Sequence, residues 1–249
     1  MEKNRRLLGI LGGLGPMATV YFYEMLTAHT KAESDQEHID ILISSRATTP
    51  DRTAFIVGAS DESPIGAMIE EGKRLQGCGA DLISMPCNTA HYFYEELTAA
   101  LDIPVVNILF ETAAHVKRTG AKTVGILATE GTVRSGAYAH VCQQVGLDCI
   151  VPDDEHQAIL SDIIYGQIKQ GKPVDMAKFE RVRDHMTSRG ADKLVLGCTE
   201  LSLIKRDNDP GDLFVDSLEV LALRTIALCG KEPTGFCDEL MADEEILKV

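Results

Sequence analysis

No apolar run in the sequence approaches the ~18 residues that would cross a bilayer. The seven cysteines form no Cys-x-x-Cys pair, and the seven histidines show no metal-binding spacing. Basic charge is also scarce, with 24 Lys and Arg against 38 Asp and Glu, a formal net charge of −14. Each shortage excludes a class of function. A surplus of carboxylates repels phosphate backbones and anionic head groups, which argues against nucleic acid and membrane surfaces as partners. An odd cysteine count without paired spacing argues against a disulfide framework or zinc cluster. The first eleven residues are charged and hold only a short apolar run, too brief for a signal peptide. The expectation is a soluble, reduced, cytoplasmic protein that binds small molecules or other proteins, its free thiols mostly packed in the core.

The rest of the composition is that of a globular protein, with 45% apolar and 25% charged residues over 249 positions. Short apolar runs at 7–11, 39–44, 82–85, 105–108, 123–127, 147–151, 194–196 and 213–215 alternate with segments of helical period at 18–31, 65–76, 90–101, 136–145, 157–169 and 176–188. That alternation predicts an α/β protein with mostly parallel sheets flanked by helices.

The chain also resembles itself. Gly79-Ala80-Asp81-Leu82-Ile83-Ser84-Met85-Pro86-Cys87-Asn88-Thr89 aligns without a gap on Gly190-Ala191-Asp192-Lys193-Leu194-Val195-Leu196-Gly197-Cys198-Thr199-Glu200. At a similar offset, Leu8-Gly9-Ile10-Leu11 matches Val124-Gly125-Ile126-Leu127. A duplicated unit predicts two pseudo-symmetric lobes, 1–104 plus 215–249 and 105–214, with Cys87 and Cys198 at equivalent strand ends. Open α/β sheets bind ligands outside the carboxyl ends of their strands, so lobes that face each other would bring both thiols to one cleft.

Pro86 ends the strand before Cys87, and Asn88 and Thr89 suit helix caps; Gly197, Thr199 and Glu200 repeat the setting around Cys198. A thiol at a helix N-terminus has a lowered pKa and a larger thiolate fraction. Two such groups on opposite sides of a cleft can remove a proton from one face of a carbon and return one to the other, as racemisation beside a carboxylate requires. Backbone N–H groups with Asn88, Thr89 and Thr199 could stabilise the planar intermediate. His91, one helical turn beyond Cys87, could either tune that thiol or pack against the loop. The other five cysteines lack this context, and the acidic tail 238–245 reads as solvated surface.

Pro-Cys-Asn-Thr-Ala-His and Gly-Cys-Thr-Glu, with Gly-Ile-Leu-Gly-Gly-Leu-Gly-Pro near the start and Pro-Asp-Arg-Thr-Ala after the second strand, resemble the aspartate/glutamate racemase family over about residues 7–225. The resemblance implies cofactor-independent racemisation of an acidic amino acid, without metal, between two lobes and usually in a homodimer. It implies Cys87 and Cys198 as the two bases, and Arg52 and Lys169 as holders of the substrate carboxylates. A dicarboxylate approaching so acidic a protein needs concentrated local positive charge, which Arg52 can offer bidentately and Lys169 as a point charge. Thr129 and Thr132, in the second-lobe counterpart of the glycine loop, offer hydroxyls. Within the family, aspartate is expected, with glutamate or another amino acid as the alternative.

Two readings lie outside the family. Gly13-Leu14-Gly15-Pro16-Met17-Ala18 fits a dinucleotide fingerprint, with Arg46 placed for a ribose phosphate, which would suit a nicotinamide-dependent oxidoreductase. Against it, no acidic residue ends the second strand, and Pro16 removes an N–H where phosphate would seek donors. A non-catalytic ligand-binding module would keep the cleft and tolerate loss of either thiol.

Overall fold

A computed structural model describes residues 6–208 and 210–248; the charged start of the chain, residues 1–5, lies outside it. Two four-stranded sheets, parallel throughout, form the frame. The first has strands β1 (Leu7–Gly12), β2 (Asp40–Ser45), β3 (Leu82–Ser84) and β4 (Val105–Val106) in the order β2-β1-β3-β4. The second has β5 (Thr123–Leu127), β6 (Asp148–Ile150), β7 (Lys193–Leu196) and β8 (Phe214–Asp216) in the order β6-β5-β7-β8. The third strand of each sheet carries a cysteine two or three residues beyond its end, so Cys87 and Cys198 occupy equivalent places.

The repeat has a physical basis. Gly79 and Gly190 follow helices α3 (Ile65–Gly77) and α9 (Met176–Ser188) at φ +94° and +92°, a conformation that disfavours any side chain. Ala80 then lies 3.2 Å from where a Gly9 Cβ would stand, and Ala191 3.3 Å from one on Gly125, so small residues let each helix approach its strand. Asp81 accepts the Leu7 N–H at 2.7 Å, and Asp192 accepts those of Lys122 and Thr123 at 2.8 and 2.9 Å, pinning the start of β1 and of β5.

Further helices are α1 (Pro16–Ala28), α2 (Arg52–Ile56), α4 (Tyr94–Ala99), α5 (Ile108–Arg118), α6 (Glu130–Arg134), α7 (Ala137–Val145), α8 (Asp154–Ser161), α10 (Ser202–Asn208) and α11 (Ser217–Leu228). α11 is buried on most of its surface, and it packs on both α1 and α5. Its Leu218, Leu221 and Ile226 share one core with Leu8 and Ile10 of β1 and Val124 and Ile126 of β5, which ties the two sheets together.

Several local expectations differ. The fourth predicted strand stops at Val106, because Asn107 caps α5 by accepting from the N–H groups of Leu109 and Phe110. The helix expected at 157–169 starts earlier, at Asp154 with Asp153 as its cap, and ends at Ser161. The chain then widens into a π-type turn, Asp162–Gln167, and a 3-10 turn, Ile168–Gln170, which Gly171 stops at φ +66°. The acidic tail is not simply solvated. Asp243 is buried against His115 at 2.7 Å and Arg118 at 2.5 Å, and Leu240 and Ile246 enter the core. Among the other five cysteines, Cys142 and Cys229 are buried and Cys149 is partly so, whereas Cys78 and Cys237 are exposed.

Candidate active site

One pocket, at the carboxyl ends of both sheets, collects Cys87, Asn88, Thr89, Thr129, Lys169, Cys198, Thr199, Glu200 and Arg52. Of the residues expected to react with or bind substrate, Thr132 stands behind the lining, bonded to Thr89 at 2.8 Å and to Thr129 at 3.0 Å. Leu14, Asp51, Thr53 and Tyr165 complete the wall and were not foreseen as site residues. The enclosed space is only about 10 Å³, room for about one water. An amino acid therefore enters only if the walls part. Gly15, Lys169 and Glu200 also line an adjoining cavity of about 800 Å³, which offers a way in.

Cys87 and Cys198 are 6% and 5% exposed. Neither begins a long helix as expected. A 3-10 turn, Thr89–Phe93, follows Cys87, and Asn88 makes no side-chain cap. Instead, Asn88 accepts from Tyr138 OH at 2.7 Å and donates to Ser217 Oγ at 3.0 Å, fastening the Cys87 loop to α7 and α11. After Cys198 the chain turns for three residues before α10. The expectation of a lowered thiol pKa fails at Cys198, where burial and the neighbouring Glu200 carboxylate push it well up. Cys198 Sγ donates to Glu200 Oε2 at 3.0 Å. His91 does not tune the Cys87 thiol. Its Nδ1 is 2.8 Å from the Cys87 carbonyl, its Nε2 accepts from Ile108 N–H at 3.3 Å, and burial lowers its pKa to about 4, so it stays neutral.

Arg52 opens α2, and Asp51 caps that helix by accepting from Ala54 N–H rather than pairing with the arginine. The Arg52 guanidinium, 8% exposed, donates to the carbonyls of Leu14, Pro50 and Thr49 at 2.6, 3.1 and 3.3 Å. Its Nε is buried with no partner. A buried cation held only by carbonyls, with a donor to spare, suits an incoming carboxylate. Lys169 reaches the pocket because of the widened turn, which also brings in Tyr165. Its Nζ is 3.3 Å from Glu200 Oε1 and 5.0 Å from the centre of the Tyr165 ring. Burial alone would lower the Lys169 pKa, but Glu200 and the cysteines facing it outweigh burial, and the net shift is upward. Tyr165, pushed to about 12 by burial, donates to Thr53 Oγ1 at 3.1 Å.

The glycine loop is used by the chain itself. A Cβ on Gly13 would lie 2.5 Å from the Arg46 backbone, and one on Gly15 2.5 Å from Glu200 Oε1. Arg46, offered above as a phosphate ligand, pairs with Glu70 at 2.6 Å and Glu71 at 3.2 Å. Both observations weigh against a dinucleotide site. Outside the pocket, Asp153, His156 and His185 converge with their ligand atoms within 4.8 Å, a proximity that sequence spacing hid. The two imidazoles stack at 3.7 Å and 9°, so their in-plane lone pairs run parallel rather than toward one point, and both rings face Asp153.

Residues 11–225 match the family model described as Asp/Glu/Hydantoin racemase. The chain belongs to that family. It is an amino-acid racemase with the family's two-lobed α/β fold. It is 28% identical over 231 residues to the broad specificity amino-acid racemase RacX of Bacillus subtilis, covering 89% of this chain and 97% of that one. A glutamate racemase of Shewanella woodyi is 27% identical over 213 residues, 79% of each chain. Among solved structures, the Picrophilus torridus aspartate racemase superposes with a TM-score of 0.80 at 33% identity, covering 92% of this chain and 96% of that one.

Proposed function

We propose that this racemase interconverts L- and D-aspartate by a two-base mechanism in which Cys87 and Cys198 work on opposite faces of the α-carbon. One cysteine, as thiolate, takes the α-proton; the other, as thiol, gives its proton to the opposite face, and the roles reverse for the return reaction. The observation that carries this reading is that two cysteines at equivalent ends of β3 and β7 line one buried pocket. Positioned acid–base pairs of this kind contribute about 10²- to 10⁴-fold per group.

Arg52 and Lys169 are the substrate's anchors in this scheme, each holding one carboxylate. Negative charge that develops on the α-carboxylate is met by backbone N–H groups of the cysteine loops, with Asn88, Thr89, Thr129 and Thr199 beside them and Thr132 behind, while Glu200 orients Lys169. The scheme assigns both proton transfers to the two cysteines and the carbanion's charge to the donors around the α-carboxylate, with no pyridoxal phosphate or metal taking part. Aspartate is favoured over glutamate by the likeness to an aspartate racemase at 33% identity.

Against the boundaries 1–104 plus 215–249 and 105–214 expected from the repeat, β4 pairs with β3 of the first sheet and β8 with β7 of the second, so we take the lobes to divide after β4 and after β8, with substrate between them. We further take the enzyme to be a cytoplasmic homodimer. Seven free thiols favour a reducing compartment, and Met17, Val20 and Tyr23, exposed along α1, offer an apolar surface to a second copy. Among the described residues, no helix is long and apolar enough to cross a membrane.

The test is the loss of optical activity from L-aspartate and, separately, L-glutamate, with extensively dialysed enzyme. Racemisation of aspartate with a kcat/KM well above that for glutamate is expected. Faster turnover of glutamate would overturn the substrate assignment, and dependence on added pyridoxal phosphate would overturn the mechanism.

A further inference from the structure

A carboxylate inside a pocket meant for an anionic substrate has the wrong sign for binding. Glu200 is nevertheless buried there, at 8% exposure, with both oxygens engaged. Oε2 accepts the Cys198 S–H at 3.0 Å, and Oε1 faces Lys169 Nζ at 3.3 Å. The second glycine of the Gly13-Leu14-Gly15 loop makes room for it, since any side chain on Gly15 would strike Oε1. Among the described residues, Cys87 Sγ has no comparable hydrogen-bond acceptor, so the two thiols are held differently.

We propose that Glu200 is the pocket's own stand-in for a substrate carboxylate, occupying Lys169 and holding the proton on Cys198 until an acidic amino acid displaces it. This rests on the racemase scheme above only for the identity of the displacing ligand. In the resting enzyme Cys198 is then the loaded proton donor. Glu200 is a positioning residue in this account, because it acts through Lys169 and Cys198. Lys169 and Tyr165 face the Cys198–Glu200 pair from the widened turn, Cys87 from the β3 loop, and Asp51 and Arg52 from the start of α2. Of the two cations among them, Lys169 opposes the effect of Glu200 on the thiol.

The experiment compares wild type with Glu200→Gln, an amide of the same size. Each protein is alkylated with iodoacetamide from pH 6 to 10, and modification at Cys87 and Cys198 is followed separately by peptide mass spectrometry. Removing the carboxylate is expected to speed Cys198 alkylation at pH 8 by on the order of tenfold, with Cys87 little changed. Aspartate affinity, measured by calorimetry, is expected to rise several-fold because Lys169 no longer has an internal partner. Gly15→Ala, which keeps the carboxylate but pushes Oε1 off its seat, should move both readouts the same way and serves if the amide variant does not fold. An unmoved Cys198 profile, or an aspartate affinity that does not rise, overturns the proposal. Alkylation needs no turnover, so the Cys198–Glu200 contact is tested even in a chain that fails to racemise aspartate.

Discussion

The hydroxyls of Thr89 and Thr129 lie 2.9 Å apart, joining the loop after β3 to the start of α6 and so the two lobes across the pocket. Thr129 also accepts the Thr132 N–H at 3.2 Å as the cap of α6, and its hydroxyl is 3.4 Å from that of Thr53. Thr129→Val keeps the shape and removes these contacts together with the one to the Thr132 hydroxyl at 3.0 Å. Loss of a threonine cap costs about 0.5–2 kcal/mol, which thermal unfolding should register as a lower midpoint. If the hydroxyl cluster also helps bring the lobes together around substrate, KM should rise more than kcat falls.

Arg52→Lys separates charge from geometry. Lysine keeps the positive charge but cannot satisfy the carbonyls of Leu14, Pro50 and Thr49 while presenting two parallel donors to a carboxylate. A charge-assisted hydrogen bond contributes about 1.5–3 kcal/mol, so kcat/KM should fall by roughly 10- to 150-fold. Steady-state kinetics with wild type alongside decides it.

Asp216 caps α11 with Oδ1, which also accepts from Ser202 Oγ at 2.6 Å, while Oδ2 is buried without a partner. Burial, followed by repulsion from Glu219, raises its carboxyl from 3.8 to about 7. Between about pH 4 and 7 the folded protein therefore keeps a proton that the unfolded chain has released. This group's contribution to stability falls as pH rises through that window and levels off above it. Asp216→Asn removes the titration and keeps the accepting oxygen. Urea unfolding at pH 5 and pH 8 should show the variant gaining on wild type at the higher pH.

Gly13→Ala tests whether the glycine motif serves the fold or a nucleotide. At φ +82°, with the Arg46 backbone 2.5 Å from the new Cβ, the backbone strain alone costs about 1–3 kcal/mol. A lower denaturation midpoint is expected, with no NAD(P)H bound by either protein in equilibrium dialysis.

Much of the frame was legible because the same physical demands occur twice. Gly79 and Gly190 must adopt a left-handed φ, Ala80 and Ala191 must stay small beneath Gly9 and Gly125, and Asp81 and Asp192 must tie down a neighbouring strand. Those demands leave an alignable trace, and Cys87 and Cys198 ride on it. Tyr165 left no such trace, since only the π-type turn after α8 rotates it and Lys169 toward the pocket, and the helical period of that segment conceals the turn. Leu14 and Thr53 belong to the site through packing between distant loops. Adjacent opposite charges suggest a pair between Asp51 and Arg52, but a residue at a helix start finds backbone N–H groups nearer than its neighbour's guanidinium. The acidic tail misleads for a similar reason: composition gives its charge, whereas only the fold supplies His115 and Arg118 as partners for Asp243.

The most direct test of the two-cysteine account follows α-deuterium incorporation in D₂O, starting separately from L- and D-aspartate, with wild type, Cys87→Ser and Cys198→Ser. The account predicts exchange and racemisation with wild type from either enantiomer. Each serine variant should lose racemisation by at least about 10²-fold, and the two variants should retain residual exchange from opposite enantiomers. Full racemisation by either variant, or residual exchange from the same enantiomer in both, would contradict it.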